Sequence, residues 1–159
     1  MSLMNIIPSV AGPVEAWKSL TLAGNRAFSE GDLDVALFRY RVAQGCIIEI
    51  FPEWPHIDEA TAALVVSYFN LAQTHVKLGR TDKAAERLAA IHTYLIRVAA
   101  ERSICACLRM IFVRHMRETY AALTRFQAEF GAFDAVQGAL DLTDDAFVAL
   151  DFSTTPTRH

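Results

Sequence analysis

Residues 20–43 read LTLAGNRAFSEGDLDVALFRYRVA, and this stretch decides the fold. Before Gly31, small and apolar residues recur three or four positions apart, and the same helical spacing resumes at Leu33. Glycine adopts the left-handed conformation that ends a helix without a steric penalty. Asp32 or Asp34 can then cap the next helix and favour its positive end. The stretch therefore predicts two helices that fold back on each other at Gly31.

This pattern resembles the tetratricopeptide repeat, a helical hairpin with a signature of large, small and aromatic positions. Leu20 stands at the tryptophan position, and Ala23-Gly24 replaces Leu-Gly. Ala36 and Tyr40 match the last pair of the signature. Residues 16–131 also resemble a family of short bacterial tetratricopeptide-like proteins with no assigned activity. The resemblance implies an all-α fold of antiparallel helical hairpins.

The hairpin pattern recurs at two further glycines, Gly79 and Gly131. The three turn glycines lie about 50 residues apart, whereas tetratricopeptide repeats have a period of about 34. The helices are therefore longer than those of the repeat. This departure leaves two arrangements open, superhelical stacking and a compact six-helix bundle.

The helical periods and their breaks predict one helical domain over residues 14–150. A flexible lead-in over residues 1–13 and a flexible tail over residues 151–159 flank it. Ser103 is the expected N-cap of the fifth helix, and Thr143 is expected to cap a separate last turn after a short sixth helix. The predicted segments are 14–30, 33–50, 56–78, 81–100, 103–130, 133–140 and 144–150.

Composition limits the classes of function. The chain of 159 residues is 53% hydrophobic and 21% charged, with a formal net charge of −3. This charge does not favour a nucleic-acid partner. The longest apolar run, residues 104–113, is too short to span a bilayer, and residues 1–11 lack the features of a signal peptide. Three cysteines argue against a disulfide framework, so buried free thiols and a cytoplasmic location are expected.

The resemblance implies a concave face formed by the first helix of each hairpin. Counting each turn glycine as position 15 of a repeat places amide, aromatic and cationic side chains on that face. Amides pair with a peptide backbone, aromatic rings pack against side chains, and cations bind carboxylates. We therefore predict a peptide-binding groove. Its residues are Asn25, Phe28, Phe69, Asn70, Gln73, Lys77 and Arg125.

Some tetratricopeptide proteins hold a partner's C-terminal carboxylate with two Asn, two Lys and one Arg. Asn25, Asn70 and Arg125 match three of those places, but Thr21 and Ala121 occupy the two lysine places. The clamp is incomplete, because the paired cations supply most of the charge-assisted binding. The alternative is structural: both asparagines form hydrogen bonds between helices.

Charge is segregated near the C-terminal end. Arginines dominate residues 97–125, whereas residues 129–151 carry acidic residues and no Lys or Arg. One interpretation is that the acidic segment folds back on the basic helix. The other is a site for an acidic partner, for which Arg114 and Arg117 are the candidates, because guanidinium binds carboxylates bidentately.

No cofactor or metal is expected, because the chain contains no phosphate-binding loop, no zinc-ligand spacing and no nucleophile motif. We expect a non-enzymatic module that binds a protein or peptide. The second hypothesis is a self-assembling scaffold or secretion-type chaperone, and the third is a helical enzyme.

The high hydrophobic content also predicts a homodimer. Long helices leave more apolar surface than three hairpins readily bury, and large exposed patches are unusual on monomers. The expected contributors are residues 104–113 and the end of the second helix with the segment after it, namely Ile47, Ile48, Ile50, Phe51 and Trp54. The competing view is that the helix carrying residues 104–113 is the central helix of a compact bundle.

Overall fold

The computed structural model describes residues 11–152, and side chains within residues 12–148. This range forms six helices and a short 3-10 helix without any strand, which confirms the all-α prediction. None of these helices has the length and apolar character needed to cross a membrane. The elements are α1 (Ala11–Glu30), α2 (Leu33–Ile50), the 3-10 helix (Phe51–Glu53), α3 (Ile57–Lys77), α4 (Thr81–Ala100), α5 (Ala106–Phe130) and α6 (Asp134–Phe152).

The glycines end three of these helices as the sequence predicts. Gly31, Gly79 and Gly131 have φ values of 82°, 72° and 87°, in the region that side chains other than glycine rarely adopt. After Gly31, the Asp32 carboxylate accepts a hydrogen bond from the backbone N–H of Val35 at 3.4 Å. The chain reversal at residues 30–33 therefore combines a left-handed glycine with an aspartate cap.

Two predicted helix ends are wrong. Cys105, not Ser103, caps α5, and its sulfur accepts from the backbone N–H of Leu108 at 3.5 Å. The sixth helix does not stop at residue 140, because α6 runs without a break from Asp134 to Phe152. Thr143 lies inside α6 and is buried. Its hydroxyl contacts the Ala139 carbonyl of the same helix and the His92 ring of α4, so it does not cap a helix.

The helices cluster into two compact units, α1–α3 and α4–α6. The predicted lead-in reaches into α1, because Ala11–Pro13 are helical, and residues 151–152 of the predicted tail belong to α6. The remaining lead-in and tail residues, 1–10 and 153–159, lie outside the described residues. The prediction of a single domain over residues 14–150 stays a prediction.

In the first unit, α1 and α2 approach closely at Gly24. A Cβ atom at Gly24 would lie 2.6 Å from the ring of Tyr40, so only glycine leaves room for that buried ring. The Tyr40 hydroxyl donates to Oδ1 of Asn25 at 2.7 Å, and the Arg39 guanidinium donates to the carbonyl of Ala23 at 3.2 Å. Burial raises the pKa of Tyr40 above its usual 10.0, which keeps the hydroxyl a donor. Tyr40 packs into a core cluster with Ala27, Ala36, Leu37 and Leu71.

In the second unit, one histidine joins all three helices. His92 of α4 is fully buried, and its two ring nitrogens each lie 2.6 Å from a threonine hydroxyl, Thr119 of α5 and Thr143 of α6. Burial lowers the pKa of His92 to about 4, so the ring is neutral at physiological pH. The contact satisfies both ring nitrogens inside a core that otherwise consists mainly of apolar side chains.

The apolar stretches expected to pair two copies are partly buried within the chain. Ile47, Ile50 and Phe112 are buried, whereas Ile48 and Met110 are exposed. The prediction of buried thiols is wrong for Cys105 and Cys107, which are exposed, and Cys46 is only half-buried. The two exposed cysteines lie at the beginning of α5, Cys105 as its N-cap and Cys107 in its first turn.

The close approach at Gly24 predicts the effect of a single methyl group. Gly24→Ala should lower the free energy of unfolding by about 1–3 kcal/mol, because the buried Tyr40 ring must shift. Gly138→Ala is the matched control: it lies inside α6, and a Cβ there meets nothing within 4 Å. The control should raise stability by about 0.5–1 kcal/mol. Urea unfolding followed by circular dichroism measures both, and a Gly24→Ala variant as stable as wild type would contradict the contact.

His92 predicts an acid-sensitive second unit. The unfolded chain binds a proton near pH 6.5, whereas the folded chain binds one near pH 4, so stability falls as the pH drops between these values. The loss should reach about 3 kcal/mol at pH 4. Unfolding free energies measured from pH 7 to pH 4 should show a smaller pH dependence in His92→Gln than in wild type. An equal pH dependence in wild type and His92→Gln would overturn this assignment.

Candidate functional site

Helices α1 and α3 lie side by side and run in the same direction. The indole N–H of Trp17 donates to the Ser67 hydroxyl at 3.0 Å near the start of the pair. Near its end, the Lys77 ammonium lies 4.5 Å from the centroid of the Phe28 ring. In each contact the α3 residue follows its α1 partner by about 50 residues. A constant offset at two points along the helices requires a parallel arrangement.

A groove of about 610 Å³ opens beside the first of these contacts. Both tryptophans of the chain line it, one from α1 and one from the segment before α3. Its walls are mainly apolar, and charged side chains lie among them. We call this site the tryptophan groove, and its lining residues are Val14, Glu15, Trp17, Lys18, Trp54, Pro55, Glu59, Ala62, Ala63 and Val66.

Prolines place Trp54 at the groove. Pro52 lies in the first turn of the 3-10 helix, where its missing N–H is not needed. Trp54 then takes an extended conformation, with φ −73° and ψ 118°. This is the conformation that a following proline favours, and Pro55 follows. The chain therefore leaves the helical path at Trp54 and resumes it at Ile57, which sets the indole beside the start of α3.

The charges of the groove are unequal. The Lys18 ammonium lies 3.2 Å from the Glu15 carboxylate, and both side chains are exposed. An exposed pair of this kind contributes little to stability. Glu59 adds a second carboxylate from the first turn of α3. Two carboxylates and one ammonium thus line an apolar groove, which suits an occupant with an apolar side chain beside a cation.

The structure brings two of the predicted groove residues together, namely Phe28 and Lys77. Phe28 is half-buried and packs against the core cluster of the first unit, while Lys77 is exposed above its ring. The pair lies on the same α1/α3 face as the tryptophan groove, towards the other end of the two helices.

Asn25 has a structural partner. Its amide oxygen accepts the Tyr40 hydroxyl and thereby joins α1 to α2. An interhelical hydrogen bond of this kind is the alternative to peptide binding that we predicted for Asn25. The residue is nonetheless exposed.

The other predicted groove residues divide between the two units. Phe69 and Asn70 are half-buried on α3, and Gln73 is exposed there. Arg125 is exposed on α5 in the second unit. The peptide-binding groove predicted from these seven residues stays a prediction, as does the incomplete carboxylate clamp.

The arginine-rich helix and the acidic helix both belong to the second unit. Arg114 and Arg117 are exposed on α5. The acidic helix α6 packs mainly along α4, and the Asp141 carboxylate accepts from the Gln137 side chain at 2.8 Å. Gln137 in turn accepts from Gln127 of α5 at 3.0 Å. An acidic partner at Arg114 and Arg117 stays a prediction.

Sequence reasoning missed the tryptophan groove. Counting repeat positions from the turn glycines selects residues near the C-terminal ends of α1 and α3, because that is where the signature lies. None of the seven predicted groove residues lines the tryptophan groove. The available signal was simple: the chain has only two tryptophans, and one of them lies between two prolines.

Within residues 12–148, no three His, Cys, Asp or Glu side chains lie close enough together to hold a metal ion. Neither a curated protein nor a solved structure matches the chain. Residues 15–159 match the family DUF2753, described as a protein of unknown function. The match includes α2–α6 and most of α1. Because it covers far more than half of the sequence, the chain belongs to the DUF2753 family.

Proposed function

We propose that the chain is a non-enzymatic interaction module that binds an extended segment of another protein along α1 and α3. The observation that carries this proposal is the tryptophan groove, which presents two indole rings and an apolar wall at the surface. Aromatic anchors of this kind dominate protein recognition, because they bury a large area with little loss of conformational freedom. A cytoplasmic location fits the exposed thiols of Cys105 and Cys107.

A tetratricopeptide-like architecture belongs to the same proposal. Three features support it: the glycine turns, the small Gly24 beneath Tyr40, and the parallel α1/α3 pair. In such hairpins the first helices form the surface that receives a peptide. Here that surface is the α1/α3 face, which carries the tryptophan groove at one end and Phe28 with Lys77 at the other.

The face sets the length and charge pattern of the proposed segment. Trp17 and Phe28 are separated by about 16 Å along α1. An extended peptide covers this distance with about five residues. Glu15 and Glu59 lie at one end and Lys77 at the other. The segment is therefore expected to carry an apolar residue beside Lys or Arg, and an acidic group about five residues away.

Tryptophan fluorescence tests the groove directly, because both indoles of the chain line it. Peptides with an apolar residue beside Lys or Arg should shift the emission on binding. Val66→Glu should raise the dissociation constant about tenfold or more, because it places a charge in the apolar wall. Leu142→Glu, an equally exposed apolar position on α6, should leave the affinity unchanged. Peptides that bind without an emission change, or equally well to Val66→Glu, would contradict the groove.

Lys77 tests the direction of the segment. Lys77→Glu should weaken binding of a peptide that carries the distant acidic residue, because the variant replaces an attraction with a repulsion. The same peptide with glutamine in place of that acid should bind both proteins alike. Isothermal titration calorimetry compares the four pairs. An equal effect of the variant on both peptides would show that the acid does not reach Lys77.

Self-assembly is the second candidate, and one observation favours it. The outer side of α2 exposes three large apolar side chains, Phe38, Val42 and Ile48. This surface shares only Ile48 with the stretches that the sequence suggested, of which Ile47, Ile50 and Phe112 are buried.

A further inference from the structure

Helix α2 has two opposite faces, and only one of them is covered. The inner face holds Ala36, Leu37, Tyr40, Ala43, Gln44, Ile47 and Ile50, all buried. On the opposite side Phe38, Val42 and Ile48 are 67%, 40% and 51% exposed. At 100° per residue these three side chains share one stripe with Arg41, Gly45 and Glu49. We call this stripe the outer face of α2.

The centre of the outer face is a glycine in the middle of a helix. Glycine there lowers helix stability by about 0.5–1 kcal/mol relative to alanine. Gly45 does not make room for a neighbour within the chain, because a Cβ at that position would meet nothing within 4 Å. This contrasts with Gly24, where the Tyr40 ring occupies the space. A glycine on an exposed apolar stripe lets another helix backbone approach closely.

We propose that the outer face of α2 is a homodimer interface in which two copies of α2 pack antiparallel around a two-fold axis at Gly45. The proposal goes beyond the peptide-binding function, because it concerns a different surface. The partner is a second copy of this chain, because in a two-fold interface the same patch on both copies must complement itself.

The outer face meets this condition in both charge and shape. An axis at Gly45 places the residue four positions before it at the level of the residue four positions after it on the other copy. Arg41 then lies level with Glu49 of the second copy, and Val42 lies level with Ile48 of the second copy. Each charge pair and each apolar pair occurs twice. The two charged residues lie at equal distances on either side of Gly45, about 6 Å along the helix axis. The two apolar residues are likewise placed symmetrically about Gly45.

The interface leaves the tryptophan groove open. The inner face of α2 packs in the first unit, where α2 contacts both α1 and α3. The outer face points the opposite way. Peptide binding and dimerisation can therefore succeed or fail independently, and each has its own variants.

Light scattering coupled to size exclusion, across a dilution series of the full chain, tests the interface. Wild type should show twice the 17.6 kDa mass of one chain at high concentration. Arg41→Glu should raise the dimer dissociation constant about tenfold or more, because like charges then lie level across the axis. The double variant Arg41→Glu/Glu49→Arg should restore the wild-type constant. Gly45→Leu should give monomers, because its side chain holds the two helices apart.

Gly138→Leu is the matched control for the glycine substitution, since Gly138 is also an exposed helical glycine with open space around it. This variant should remain as dimeric as wild type. Circular dichroism should show the same helical content in all variants, because every substituted residue is exposed. A wild-type mass of 17.6 kDa at every concentration overturns the proposal. A dimer that Gly45→Leu and Arg41→Glu leave unchanged overturns it as well.

Discussion

The first unit depends on the contact of the Tyr40 ring with the bare backbone at Gly24. The ring fixes the distance between α1 and α2, and its hydroxyl fixes their register through Asn25. Since the ring lies in the core cluster with Leu71 of α3, the same residue also connects the hairpin to the third helix. The helical rotation that directs Tyr40 inward directs Phe38 and Val42 outward. One close approach thereby determines which side of α2 remains uncovered.

The parallel pairing of α1 and α3 explains how distant parts of the sequence form one surface. Helix α2 returns the chain to the start of α1, and the proline-rich segment then redirects it so that α3 begins beside α1. The proline-induced extended conformation at Trp54 matters here, because a continuous helix would have carried the second indole elsewhere. The groove is thus a consequence of a helix break, and the charged residues near it come from the N-terminal halves of α1 and α3.

The helix ends at the turn glycines could be predicted because their cause is local. A left-handed glycine followed by an aspartate cap acts within four residues, and Gly31 with Asp32 shows both. The beginning of α5 and the continuity of α6 depend on contacts between distant residues. Thr143 looks like a cap in the sequence, yet it lies inside a helix because its hydroxyl meets His92. No local pattern contains that information.

The candidate site was harder to predict for a related reason. The counting of repeat positions predicted Asn25 for peptide binding, but its amide oxygen accepts from Tyr40 of the same chain. The repeat signature marks the ends of α1 and α3 where the helices turn. Trp17 lies in α1 but before the signature, and Trp54 lies outside the helices. Counting repeat positions therefore does not select either tryptophan of the groove.

The buried contact of His92 allows two proton arrangements, one for each tautomer of the ring. A neutral imidazole carries one N–H, so the ring donates to one threonine and accepts from the other. The threonine that donates to the ring gives up its hydrogen bond to a carbonyl in its own helix, Ala139 for Thr143 and His115 or Met116 for Thr119. Threonine-to-carbonyl bonds of this kind bend helices. The tautomer of His92 therefore determines whether Thr119 or Thr143 keeps its hydrogen bond to a carbonyl of its own helix.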